Sequence, residues 1–171
     1  INLIDVKFDI NKEKNYIKDS FDIAFRLIKK KISNKFINGP INKSVFLNKR
    51  FLGITEYISR KFNTNKVAML IYNKDLSVCP LTTHLPVKLI SKKINQKLIK
   101  EKTKKIEDFY VKNLGFKPKI AATGLNPHCE SILKFNEDKR IITPAINSLK
   151  KRGFKINGPF SADTIFLKQN R

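Results

Sequence analysis

Short apolar runs closed by glycine, asparagine or proline loops alternate along this chain with stretches whose apolar residues recur every three or four positions, and this alternation constrains the fold most. Val67-Ala68-Met69-Leu70-Ile71-Tyr72, bounded by Asn65-Lys66 and Asn73-Lys74-Asp75, reads as a strand covered on both faces. Leu76-Ser77-Val78-Cys79-Pro80-Leu81 reads as the next strand, with Pro80 placing it near an edge or bulge. Lys119-Ile120-Ala121-Ala122-Thr123-Gly124 is a third run that ends in a glycine loop, and Phe154 to Asn157 a last short strand. Phe36-Ile37 would be a short strand stopped by Asn38-Gly39-Pro40.

Between them lie the periodic stretches. Ile17, Phe21, Ala24, Phe25, Ile28 and Ile32 share one face of a helix over residues 15–32, whose last turn carries Lys29-Lys30-Lys31. A helix runs from Gly53 to Phe62 with Thr55 as candidate N-cap, and Pro86 suits the first turn of another through Leu89, Ile90 and Ile94. Leu98, Ile99, Ile106 and Phe109 mark a further helix stopping at Gly115, and residues 137–151 make one more. Strands alternating with helices mean an α/β fold, read here as a single packed unit, with ligands expected in the loops beyond the strands' carboxyl ends.

With 171 residues the chain can bury a substantial core, and two cysteines 50 residues apart, Cys79 and Cys129, exclude a disulfide scaffold and favour a reduced, cytoplasmic setting. No apolar run approaches the ~20 residues of a membrane span, and Ile1-Asn2-Leu3-Ile4-Asp5 is no signal peptide, so no membrane partner is expected. The first residue is Ile, which suggests a fragment of something longer. The net charge of +22 raises nucleic acid as a partner. However, 30 of the 36 basic residues are Lys, accompanied by 23 Ile and 17 Asn as AT-rich coding favours, and aromatic residues do not interleave them. Arginine does most base reading and aromatic rings most stacking, so a basic non-catalytic nucleic-acid-binding protein is a remote alternative. A solvated surface that draws small anionic substrates accounts for the charge better.

Four loops could carry chemistry. The two histidines stand in strand-end loops, His84 in Thr82-Thr83-His84-Leu85-Pro86 and His128 in Leu125-Asn126-Pro127-His128-Cys129-Glu130. Imidazole is the usual ligand of a catalytic transition metal, yet from spacing alone two unrelated histidines are the better reading, because 44 residues fit no ligand motif. Asn38-Gly39-Pro40-Ile41-Asn42-Lys43 could hold an anion with backbone donors and the Lys43 ammonium, or be an ordinary turn. Gly158-Pro159-Phe160-Ser161-Ala162-Asp163-Thr164 places Asp163 where an N-cap would stand, and makes it a ligand only if the loop faces the site. Cys129, with no partner base in view, is better read as a small buried residue than as a nucleophile.

Taken together, Gly39-Pro40-Ile41-Asn42-Lys43, Gly53-Ile54-Thr55-Glu56-Tyr57, Thr82-Thr83-His84-Leu85-Pro86, Gly124-Leu125-Asn126-Pro127-His128 and Gly158-Pro159-Phe160-Ser161-Ala162-Asp163-Thr164 resemble, in order and spacing, the 4-hydroxythreonine-4-phosphate dehydrogenase family of pyridoxal phosphate biosynthesis. The resemblance implies an α/β/α sandwich similar to isocitrate and isopropylmalate dehydrogenases, of which residues 1–171 would be the central portion of a two-domain enzyme, incomplete at both ends. It implies an NAD-dependent, metal-assisted oxidation and decarboxylation of 4-phosphohydroxy-L-threonine to 3-amino-2-oxopropyl phosphate. NADP is the alternative dinucleotide, and zinc, magnesium or cobalt the candidate metal.

Carried over by position, His84 and His128 would be metal ligands, Thr55 and Asn42 would touch a small phosphorylated hydroxy amino acid, and Lys43 and Asp163 would be catalytic residues of the cleft. The family's active site lies at a homodimer interface, and its third metal histidine, in a Tyr-His-Asp-Gln segment, would fall beyond residue 171, so the 171 residues alone are expected to be inactive. An Asp-Pro-Ala-Gly loop that opens the family pattern does not precede Ile1, and Cys129-Glu130 replaces a longer Ala-Gly-Glu. Ile54 stands where the family commonly has a substrate-binding histidine, which keeps a paralogous dehydrogenase of 4-phospho-threonate or 4-phospho-erythronate as the alternative.

Overall fold

The computed structural model describes residues 3–47, 50–130 and 135–167. Ile1-Asn2 of the segment read for a signal peptide lie outside the described residues. The single packed unit expected above is replaced by two compact units, residues 1–65 and 66–171.

The first unit is helical. α1 (Glu13–Lys29) buries Phe21 and Phe25, as its periodicity requires. It closes one turn short of Ile32, because Lys31 adopts a left-handed φ of 60° while the Lys31 and Ile32 amides bond back to the Ile28 and Leu27 carbonyls. α2 (Lys43–Leu47) contributes Phe46 and Leu47, and α3 (Ile54–Lys61) contributes Tyr57. Their rings meet edge on: Phe21 lies 5.1 Å from Phe36 and Tyr57 5.1 Å from Phe46, centroid to centroid. Lys61 on α3 donates to Asp22 on α1 at 2.9 Å. Gly53 is the N-cap of α3, so Thr55 sits inside the first turn and caps nothing; Tyr57 N–H donates to the Gly53 carbonyl. Phe36-Ile37 forms no strand, Phe36 being drawn into this aromatic cluster instead.

In the second unit the strands expected at Val67–Tyr72 and Leu76–Leu81 reduce to a single antiparallel bridge, Ile71 with Val78. The apolar residues are there, but their partners lie on a helix rather than on a ladder. Tyr72 packs on Phe109, Tyr110 donates to Ser77, and the Val67 carbonyl accepts from Lys102 Nζ at 2.5 Å. Nor is the run covered on both faces, since Ile71 is 62% exposed.

That helix, α5 (Gln96–Leu114), starts where Asn95 accepts from the Leu98 amide and stops at Gly115, which takes φ 79°. α4 (Val87–Lys93) precedes it, with Pro86 at the N-cap rather than in the first turn. β1 (Ile120–Thr123) and β2 (Ile156–Phe160) pair in parallel, joined by a π turn at Asp138–Ile142 and α6 (Thr143–Lys151). The core sits around this crossover: Ile94, Ile99, Ile142, Ala145, Ile146, Leu149 and Ile156 are all buried.

The register positions the site. Ala121 pairs with Asn157 and Thr123 with Phe160, so β2 spends three steps where β1 spends two. Gly158 lies in this irregular stretch at φ 129°, where a Cβ would overlap the Ala122 carbonyl oxygen. Beyond the bulge the strands close again, Gly124 N–H donating to the Phe160 carbonyl at 2.8 Å. Both strands therefore end side by side, and the loops that follow them leave from the same edge.

Candidate functional site

The loop after β1 turns back at Gly124, where a Cβ would stand 2.6 Å from Cys129 Sγ and 3.1 Å from Asp138 Oδ1. Asp138, at the start of the π turn and 1% exposed, receives this loop. Its Oδ1 accepts from Leu125 N at 2.7 Å, and its Oδ2 from Asn126 N at 3.1 Å and Asn126 Nδ2 at 2.9 Å. Pro127–Cys129 then forms one 3-10 turn in which His128 (φ 54°) and Cys129 (φ 60°) are both left-handed. Two consecutive non-glycine residues there cost on the order of 1–3 kcal/mol each.

What the turn achieves is the direction of His128. The imidazole stands largely in solvent, with Nδ1 3.5 Å from Ser161 Oγ and 3.7 Å from Asp163 Oδ2, both on the loop after β2. Ser161 donates to Asp163 Oδ1 at 2.5 Å. That hydrogen bond foremost, with the imidazole adding, holds the Asp163 carboxyl below the usual carboxylate range. No helix begins at Asp163, which bonds Ser161 instead of capping. Cys129 is half-buried, and burial foremost pushes its thiol up, which leaves it poorly suited to attack.

The other sequence candidates stand on other elements. His84 is exposed, left-handed at φ 56°, in the loop before α4. Among the described residues no three His, Cys, Asp or Glu side chains form a group able to hold a metal, so His84 does not complete a set with His128 and Asp163. Asn42, Lys43 and Thr55 belong to the first unit. Asn42 Oδ1 accepts from Ser44 Oγ at 2.6 Å and Val45 N at 3.3 Å, so it caps α2, and Lys43 is the exposed first residue of that helix. Asn42 also borders a groove of about 420 Å³ lined by Phe8, Tyr16, Phe21, Phe36 and Ile37. Thr55 is half-buried, and Ile54 beside it packs on the aromatic cluster.

Two participants escaped the reading of the sequence. Ser161 stands inside a quoted motif with no spacing to recommend it, and Asp138 looked like any acid in the first turn of a helix.

Comparison with known proteins finds relatives along most of the chain. A family model described as pyridoxal phosphate biosynthetic protein PdxA matches residues 6–171. A 4-hydroxythreonine-4-phosphate dehydrogenase of Neisseria meningitidis is 34% identical over 88% of this chain and 48% of its own length. A D-threonate 4-phosphate dehydrogenase of Pectobacterium atrosepticum is 29% identical over 86% and 48%. The crystal structure of 4-hydroxythreonine-4-phosphate dehydrogenase from Klebsiella pneumoniae superposes with a TM-score of 0.76 at 26% identity, covering 92% of this chain and 50% of that one. The chain thus spans about half the length of the curated relatives it matches. The matched region takes in the parallel pair, the π turn and both loops that bring His128 to Asp163, and the chain belongs to the pyridoxal phosphate biosynthetic PdxA family.

Proposed function

We propose that this chain forms part of an NAD-dependent, divalent-metal-assisted dehydrogenase that oxidises and decarboxylates 4-phosphohydroxy-L-threonine to 3-amino-2-oxopropyl phosphate in pyridoxal phosphate biosynthesis. The observation that carries the reading is the convergence of His128, Ser161 and Asp163 at the carboxyl edge of a parallel strand pair, in a member of this family. An imidazole and a carboxylate 3.7 Å apart suit a divalent cation in donor type, and fall short of the three protein ligands of a catalytic site in number. His128 would be one ligand, with His84 and a residue outside this chain as the others. When bound, the cation would polarise the substrate hydroxyl.

The chain's own residues divide the remaining work. Ser161 donates to Asp163 Oδ1, which leaves Oδ2, the oxygen facing His128, to accept a hydrogen bond from a substrate hydroxyl and orient it. The Lys43 ammonium would hold an anionic group of the substrate and Asn42 and Thr55 would contact it, and the excess of Lys over acidic residues favours approach of a phosphorylated acid. A homodimer with the site at the interface and a cytoplasmic setting follow from the same reading. Among the described residues no helix is long and apolar enough to cross a membrane.

The test uses a protein that carries residues 1–171 together with the rest of the family's length. NADH formation from 4-phosphohydroxythreonine, NAD and a divalent cation is the expected result, with a loss of at least about 100-fold in His128→Asn. Turnover untouched by that substitution would overturn the metal assignment, and no turnover would overturn the reaction. The D-threonate 4-phosphate dehydrogenase relative and Ile54 favour one second reading, the paralogous oxidation of a 4-phosphorylated threonate or erythronate. A higher kcat/KM for that substrate than for 4-phosphohydroxythreonine would select it.

A further inference from the structure

We propose that Asp138 is the positioning residue of the His128 loop, a buried carboxylate that gathers three N–H donors and thereby sets where the imidazole stands. The inference rests on the reading of His128 as a functional group and deepens it.

Asp138 is among the most buried side chains of the described residues, and a carboxylate in that position is costly unless several donors receive it. The donors come from two consecutive residues of one loop, Leu125 and Asn126, through both backbone amides and the Asn126 side chain. The Asn126 side chain is also shared with Glu137 Oε2 at 3.1 Å, so both acids at the head of the π turn face the same loop. An ordinary helix-capping acid would receive its own helix's amides. This one serves a segment 12 and 13 residues away.

The π turn supplies the geometry. Thr143 N–H reaches the Asp138 carbonyl five residues back, and Thr143 Oγ1 donates to the same oxygen at 2.8 Å. Such a widened turn is rare and is frequently found at functional sites. On the far side, the clamped residues lead directly into Pro127 and the left-handed His128-Cys129 pair. A conformation that strained needs its flanks held. The close packing of Gly124 on both Asp138 Oδ1 and Cys129 Sγ closes the arrangement, leaving the loop little room to relax.

The experiment uses the 171-residue chain and exploits its possession of two histidines, His84 and His128. With ring nitrogens labelled and His84→Gln as the assignment variant, NMR reports each imidazole separately. In Asp138→Asn, which keeps the shape but turns an amide group toward N–H donors, hydrogen exchange at Leu125 and Asn126 is expected to accelerate at least about 10-fold. The His128 ring resonances should shift while those of His84 stay in place. Zinc chloride, titrated as the probe, should bind His128 about 10–100-fold more weakly than in the parent. Protection at Ile146, Leu149 and Ile156 reports the core, and should Asp138→Asn lose it, Asn126→Ala, which removes the half-buried side of the clamp, should show the same loosening at smaller amplitude.

A folded variant with unchanged exchange at Leu125 and Asn126 and unmoved His128 resonances would overturn the proposal. Failure of zinc to perturb His128 in the parent would reflect the missing third ligand and bear on neither role, and the exchange and ring resonances would then decide the positioning role by themselves.

Discussion

Replacing Gly158 with alanine tests the feature on which the site depends, the bulged parallel pairing of β1 and β2. The magnitude has two parts. At φ 129° an alanine occupies backbone space that is essentially glycine's own, at a cost of about 1–3 kcal/mol. Its Cβ would also overlap the Ala122 carbonyl oxygen and lie 3.2 Å from the carbonyl carbon, a backbone contact that no rotamer can relieve, adding about 1–3 kcal/mol. The total, roughly 2–6 kcal/mol, is a large share of the 5–15 kcal/mol that holds a typical domain. Gly153→Ala is the control, because Gly153 has φ 84° and nothing within 4 Å of where an added methyl would stand, leaving only the conformational cost of about 1–2 kcal/mol. Urea unfolding followed by circular dichroism should place the Gly158→Ala midpoint below that of Gly153→Ala by on the order of 1 M, given slopes of about 1–3 kcal/mol per M. The amide of Gly124, bonded to Phe160 across the bulge, should lose exchange protection in the first variant and keep it in the second. Equal midpoints for the two variants would mean that β1 and β2 do not approach as described, and the juxtaposition of His128 with Asp163 would fall with that pairing.

Two further predictions concern the helices α1 and α5. Burial tends to raise the Asp22 carboxyl, but hydrogen bonds from Lys61 and Lys18 outweigh it and hold the group below its ordinary value. Its stabilising contribution is therefore present above the unfolded carboxyl's pKa and lost as pH falls through the folded one, so Asp22→Asn should cost up to about 1 kcal/mol at neutral pH and nothing in acid, read from denaturation midpoints across pH. Asn95→Ala removes the side chain that receives the Leu98 amide at the start of α5 and should destabilise the protein by about 1 kcal/mol, measured by urea unfolding at neutral pH.

The helices α1, α3 and α5 were legible because each combines an apolar stripe with a stop that chemistry imposes, such as Gly115 taking φ 79° after α5. α2 was not, since five residues are too few for a period and its capping residue, Asn42, looked like part of an anion-holding turn. The runs at 67–72 and 76–81 had strand composition, and composition says nothing about whether a ladder partner stands alongside; here α5 takes that place through Tyr72, Ser77 and Val67. β2 was foreshortened at Asn157 because Gly158-Pro159 reads as a loop, although a bulge is where a strand tolerates both residues. The division after Asn65 left no mark of glycine, proline or serine enrichment, so a single unit was the natural inference.

For the site, the limiting information was register rather than residue type. A separation of 44 residues between histidines predicts nothing, and Asp163 by itself suggested a cap. Both acquire meaning from one extra residue in β2: the bulge lets Phe160 meet Thr123 and Gly124, the loops at 124–130 and 161–163 leave the same edge, and the His128 imidazole arrives within 4 Å of the Asp163 carboxylate. The ordered motifs that resemble the family contain the residues that this geometry requires. Gly124 and Gly158 leave room where a Cβ would strike a neighbour, and Asn126 feeds the Asp138 clamp. A motif of this kind records backbone constraints as much as chemistry, which is why the glycines and Asn126 in it are as informative about function as His128 itself.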